Sequence, residues 1–263
     1  MVEGICLVEK GGLTHSAPRW DNISWGCAMK FFSLTCAFLA IQLVAVSQTA
    51  SSPAPTAEIP RLHDGKPDLN GVWDIPYTPD MGRGVTGGLP FSPLGAEEFK
   101  KYDPTEFDYT GHCLPAGLTR LVNTPMPMEI VQTPKKVAML FEGFSSYIII
   151  PTDGRKHTKS PEPTWYGESI GWYEGDTFVM DTIGFNDKTR LDTVGHPHSD
   201  QMHVIQRFTR TSPTTMAFEI TVEDPKMYSQ PFTNKRTFRM AKGELMEYSC
   251  MENNKDLFEG HIK

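Results

Sequence analysis

From Met128 onward the chain is a succession of short apolar runs with a turn signal roughly every ten residues, a texture that suits an antiparallel barrel or sandwich. The runs read as strands are Met128–Thr133, Val137–Glu142, Ser146–Ile150, Ile170–Glu174, Thr177–Thr182, Met202–Thr209, Thr215–Glu223, Phe232–Met240 and Leu245–Cys250. Thr152-Asp153-Gly154 and Glu174-Gly175-Asp176 supply the Gly and Asp that tight hairpins require. In Thr215–Glu223, Met216, Phe218, Ile220 and Val222 alternate with Ala217, Glu219, Thr221 and Glu223, which declares one face for the core. Earlier, Pro67–Asp74 gives a turn and a first strand, and Thr78–Gly117 is a Gly- and Pro-rich stretch long enough to be a lid. Its one helical pattern is Pro93–Tyr102, with Pro at the front. The expected fold is all-β: a single-domain antiparallel β-barrel of lipocalin-like type with long N-terminal loops and one short helix. A two-sheet sandwich is the alternative. A barrel of about eight strands has interior for one small ligand.

The N-terminal region sets the compartment. Met29-Lys30-Phe31-Phe32 opens an apolar run that ends in Ala45-Val46-Ser47, the layout of a secretory signal peptide over 29–47. The run is shorter than the roughly 20 residues of a membrane span. Residues 1–28 are then a non-translated or dispensable extension, 48–66 a flexible Ser/Ala/Pro linker and 67–263 the barrel domain, a secreted or periplasmic protein with no membrane contact after cleavage. Cys6, Cys27 and Cys36 precede the cleavage point, so Cys113 and Cys250 are left to form one disulfide in an oxidising compartment, tying an early loop to the last strand. A net charge of -7 gives no footprint for nucleic acid or an anionic membrane surface.

The segments PDLNGVWD, TPMPMEIVQTP, GESIGWYEGDTFVMDTIGFND, GHPHSDQMHVIQRF, EITVEDPKMYSQPFT and EYSCMENN, in this order, resemble a family of secreted proteins from soil bacteria, acidobacteria among them. The resemblance covers most of residues 67–254 and carries over Trp165, Ser169, Gly175, Asp176, Asp181, His198, His203 and Arg207. The chain departs from the pattern at Tyr173, Gln206 and Phe232, where the family usually has Trp, Glu and Trp. The resemblance implies the compartment and a single domain, and no reaction.

Candidate chemistry gathers in three places. Gly167-Glu168-Ser169-Ile170-Gly171 matches G-x-S-x-G, but a β-hairpin follows it where a nucleophile elbow needs a helix. Gly195–His203 packs His196, His198, His203 and Asp200 into nine residues. His198 is expected to be the principal acid/base, oriented by Asp181 or Glu168, because imidazole titrates near physiological pH. His203 and Arg207, on one strand face, would polarise or anchor the substrate, although the opposite face of Met202, Val204, Gln206 and Phe208 is the more apolar. Trp165, Trp172, Tyr173 and Ser169 complete the expected binding set; core packing is the competing account of the aromatics. No cofactor is expected; a metal, if there were one, would sit on His196, His198 and His203. These readings converge on a secreted barrel that binds a small organic molecule and acts on it by metal-free acid–base chemistry, as a lyase, isomerase or hydrolase. A non-catalytic lipocalin-like binding protein and a His-ligated metalloenzyme are the alternatives.

Overall fold

The computed structural model describes residues 58–255. The extension, the signal segment and the linker up to residue 57 lie outside them. Nine strands make one sheet: β1 (Gly71–Asp74), β2 (Met128–Thr133), β3 (Lys136–Phe141), β4 (Ser146–Pro151), β5 (Glu168–Glu174), β6 (Thr177–Ile183), β7 (His203–Ser212), β8 (Thr215–Glu223) and β9 (Phe232–Met240). Their spatial order is β4-β3-β2-β1-β9-β8-β7-β6-β5, and every hydrogen-bonded pair is antiparallel. Read as a ring, this is chain order, with β1 returning to β9.

An odd number of strands cannot alternate in direction all the way round. The mismatch falls between β4 and β5, which run the same way because residues 152–167 travel back along the barrel between them. Hydrogen bonding stops at this seam, so the barrel is nearly closed. The two strands still touch: a Cβ built on Gly171 would lie 2.8 Å from Ile150 Cγ2 and 2.7 Å from the Phe178 ring, so glycine is what lets them approach. The upper end of the barrel carries Asp74, Glu168, Ile183 and His203; the lower end carries Thr133, Lys136, Glu174 and Thr177.

The expected interior space for a ligand is not there. Trp73, Met128, Ile130, Phe178, Phe208, Phe218 and Phe238 fill the barrel with 0–1% exposure each, as small barrels pack their lumen. Gln206 is also wholly buried in this interior, and neither polar atom of its amide meets a partner among the described residues. Replacing Gln206 with the similarly shaped, apolar Met is therefore expected to stabilise the protein by about 1 kcal/mol, read as a higher urea midpoint at unchanged slope.

Other expectations are corrected at the ends. The Thr78–Gly117 stretch is no free lid: Met81 is fully buried, and Asn234 Nδ2 donates to the carbonyls of Met81 and Arg83. The short helix is found as α1 (Pro93–Lys101), where Ser92 Oγ accepts from the Gly95 N–H and Pro93 opens the first turn. A second, four-residue helix, α2 (Leu118–Leu121), adds to it and is buried throughout, and Gly143–Ser145 forms a single 3₁₀ turn. Leu245–Cys250 is not a strand, because both edges of β9 are already occupied by β1 and β8. It runs instead beside the β3–β4 turn, held by Met246 N–H to Glu142 and Ser145 Oγ to the Tyr248 carbonyl. The Cys113–Cys250 disulfide is present and ties this segment to the loop before α2. Residues 61–66 of the expected linker form, with Pro67, a hairpin latched to the lower end by Arg61, whose guanidinium forks onto Asp176 at 2.6 and 2.8 Å. Among the described residues no helix is long and apolar enough to cross a membrane.

Candidate functional site

Strand alternation decides what each candidate residue faces. On β7, Val204, Gln206, Phe208 and Arg210 point inward, which puts His203 and Arg207 on the outer face. Asp181 on β6 and Glu168 on β5 share that face at the upper end. His157, from the connection across the seam, drops onto them. The result is an alternating row. Glu168 Oε1 lies 3.1 Å from His157 Nδ1, and His157 Nε2 lies 3.2 Å from Asp181 Oδ1. The same Asp181 oxygen lies 2.7 Å from His203 Nε2, and His203 Nδ1 is 3.3 Å from Glu223 Oε2. Each imidazole stands between two carboxylates, an arrangement both of whose contacts are hydrogen bonds only when the ring carries two protons.

The electrostatics follow from this row. The hydrogen bond to Asp181 raises the His203 pKa above its ordinary value of 6.5, outweighing the opposing effect of burial. Burial pushes the Asp181 carboxyl up, but the hydrogen bonds and charges of His203 and His157 prevail and hold it below 3.8. Glu168 is lowered chiefly by the Thr158 hydroxyl and N–H that it accepts. The sign for stability is fixed by these directions. The raised His203 contributes stability that is fully present below its unfolded value and lost as pH rises through its folded pKa. The depressed Asp181 contributes above its unfolded value and loses it as pH falls through its folded pKa. Wild type is thus expected to exceed His203→Gln by about 1 kcal/mol at pH 5.5 and by little at pH 9, measured by urea denaturation at both.

His203 also lines a cleft of about 290 Å³ with Pro161, Pro163, Ile183, Phe185 and Met202. An apolar wall next to a protonated imidazole can hold the body of a small molecule while its polar atom displaces the exposed Glu223 carboxylate from Nδ1–H, with Nε2 remaining on Asp181. A charged His203 can give a proton and its neutral form can take one back.

The structure divides the other expected site residues. His198 does not meet Asp181 or Glu168. It is buried; its Nε2 shares a hydrogen bond of 2.6 Å with Thr189 Oγ1 and its Nδ1 donates to the Ser199 carbonyl at 3.2 Å, while burial lowers its pKa. Both of its nitrogens are spent on partners within the 184–202 loop, and neither of the carboxylates expected to orient it stands beside it. His196, His198 and His203 do not form a metal set: His196 Nδ1 pairs with Asp192 Oδ2 at 2.6 Å and its ring stacks on Phe99. The one group of convergent metal-type ligands among the described residues is Asp80, Asp192 and His196. Asp192 is taken up there by the N–H groups of Met81, Gly195 and His196.

Ser169 faces inward and bonds the Thr182 hydroxyl at 3.0 Å, with no imidazole as partner, which removes the nucleophile reading. Arg207 pairs with Glu174 at 2.6 Å on the outer face, beside Trp172, whose indole N–H also reaches Glu174. Trp165 lies in the seam connection under the Lys188 ammonium. Tyr173 points inward at the lower end, five residues or roughly 17 Å along β5 from Glu168. His157 was missed altogether: it lies in an irregular, Lys- and Ser-containing loop with no periodicity, and the fold alone brings it to Asp181. Comparison with protein families, with curated proteins and with solved structures gives no match.

Proposed function

We propose that this chain is a secreted protein that binds a small organic molecule in the cleft beside His203 and acts on it by acid–base chemistry, as a lyase, isomerase or hydrolase. The observation that carries the reading is the sharing of one Asp181 oxygen by His157 and His203, with a raised His203 pKa, at the edge of an apolar cleft. His203 is the acid/base, Asp181 holds it in orientation and in its protonated form, and His157 with Glu168 fixes Asp181 from the other side. A perturbed imidazole in a cleft is the pattern that proton-transfer sites produce.

The test is incubation in D₂O with a panel of small hydroxy acids, keto acids, lactones and esters, followed by mass spectrometry for conversion or deuterium uptake. Wild type converting at least one member, with His203→Gln inactive on it, supports the reading. Conversion by both alike counts against His203 as the acid/base, and binding to the cleft without turnover of any member favours a binding protein.

A further inference from the structure

An apolar cavity lies at the opposite end of the barrel from His203. It occupies about 290 Å³ at the lower end of the seam, between the 61–67 hairpin, the β2–β3 turn and Tyr173. That volume is at the small end of ligand cavities. Leu62, Pro134, Val137 and the Tyr173 ring supply apolar walls. Phe178 packs against that ring, at 5.2 Å between centroids.

The polar groups are arranged as donors. The Leu69 N–H donates to Gln132 Oε1, which fixes the amide so that its NH₂ faces the Pro67 carbonyl at 3.2 Å and the Tyr173 hydroxyl oxygen. Tyr173 therefore receives a hydrogen bond from Gln132, and its own hydroxyl hydrogen has no acceptor among the described residues. Burial pushes its pKa up to about 12, so the phenol keeps that hydrogen. The Lys66 ammonium stands 5.2 Å above the Tyr173 ring and pairs at 3.1 Å with the exposed Asp64, which with His63 also lines the cavity; it is the one carboxylate on Lys66 among the described residues. The cavity thus has a rigid aromatic wall, one uncommitted O–H and a neighbouring cation.

We propose that this cavity is a second ligand site, independent of His203, which takes a small aromatic carboxylate: the ring lies against Leu62, Pro134 and Val137, and the carboxylate accepts from Tyr173 Oη and faces Lys66. The hairpin acts as the cover, held shut by the Arg61–Asp176 fork. A ligand carboxylate that displaces Asp64 from Lys66 uses both the ammonium and the phenol O–H, which suits an anion better than a neutral acceptor.

The probe is trans-cinnamate titrated calorimetrically into the full chain, with cinnamyl alcohol as the neutral counterpart. The expected result is saturable one-to-one binding of cinnamate, weakened about tenfold by Tyr173→Phe and by Lys66→Met, and at least tenfold weaker binding of the alcohol. Leu62→Trp, which fills the cavity from the half-buried hairpin side, should abolish binding with an unchanged melting temperature. His203→Gln should leave cinnamate affinity unaltered, which separates this site from the catalytic reading. No saturable binding of cinnamate, equal affinity for the alcohol, or binding that survives Leu62→Trp in a folded protein would each overturn the proposal.

Discussion

His203→Gln is expected to lower turnover of any substrate found by about 10²–10⁴-fold, the range lost when a positioned acid/base is removed. Gln keeps the length and a donor toward Asp181 but cannot exchange a proton, so the fold should persist at neutral pH and the loss should fall on kcat. Asp181→Asn should lower activity too, with a diagnostic change of profile. Because the hydrogen bond to Asp181 is the main cause of the raised His203 pKa, neutralising the carboxyl should move the basic limb of the rate profile to lower pH. His198→Gln should behave differently, since its nitrogens serve Thr189 and the Ser199 carbonyl. Its cost should appear in the denaturation midpoint, with the position of the pH profile unmoved. A shifted profile in His198→Gln and none in Asp181→Asn would reverse the assignment.

Removal of the Cys113–Cys250 bridge, by reduction or as the Cys113→Ser/Cys250→Ser pair, is expected to cost about 4 kcal/mol. The two residues are 137 positions apart, and in the chain-entropy model closing so long a loop restricts the unfolded chain strongly. The bridge also holds the 245–250 segment, which has no strand partner and rests on a few hydrogen bonds to the β3–β4 turn. Equilibrium denaturation with and without reductant measures the effect; a loss below about 1 kcal/mol would show that those contacts suffice.

The strands were legible because period-two alternation and Gly or Asp turns are local signals, and the eight runs from Met128 to Met240 match β2–β9 to within a few residues. α1 was legible from Pro93. α2 was not, since four residues carry no period, and Leu245–Cys250 misled because alternation does not tell whether a partner edge is free. Three of the five groups in the row, Asp181, Glu168 and His203, were named from the sequence, and the apolar inner face of β7 pointed to His203 as outward. The dense His196–His203 run drew attention to His198, because imidazoles close in sequence are not thereby close in facing. His157 needed the path of the seam connection, which no local pattern encodes.

The ring of strands has a further consequence for how the molecule comes together. Along β2–β4 and β5–β9 every paired strand is the next one in the chain, so these hairpins can zip up through contacts of short sequence separation. The exception is β1, which meets β9 through Trp73 opposite Met240 and Asp74 opposite Arg239. The joining of β1–β4 to β5–β9 in one sheet therefore rests on two residue pairs brought together from opposite ends of the domain. Such a late, thinly held joint is where amide exchange should first report the barrel opening, well before the hairpins themselves come apart.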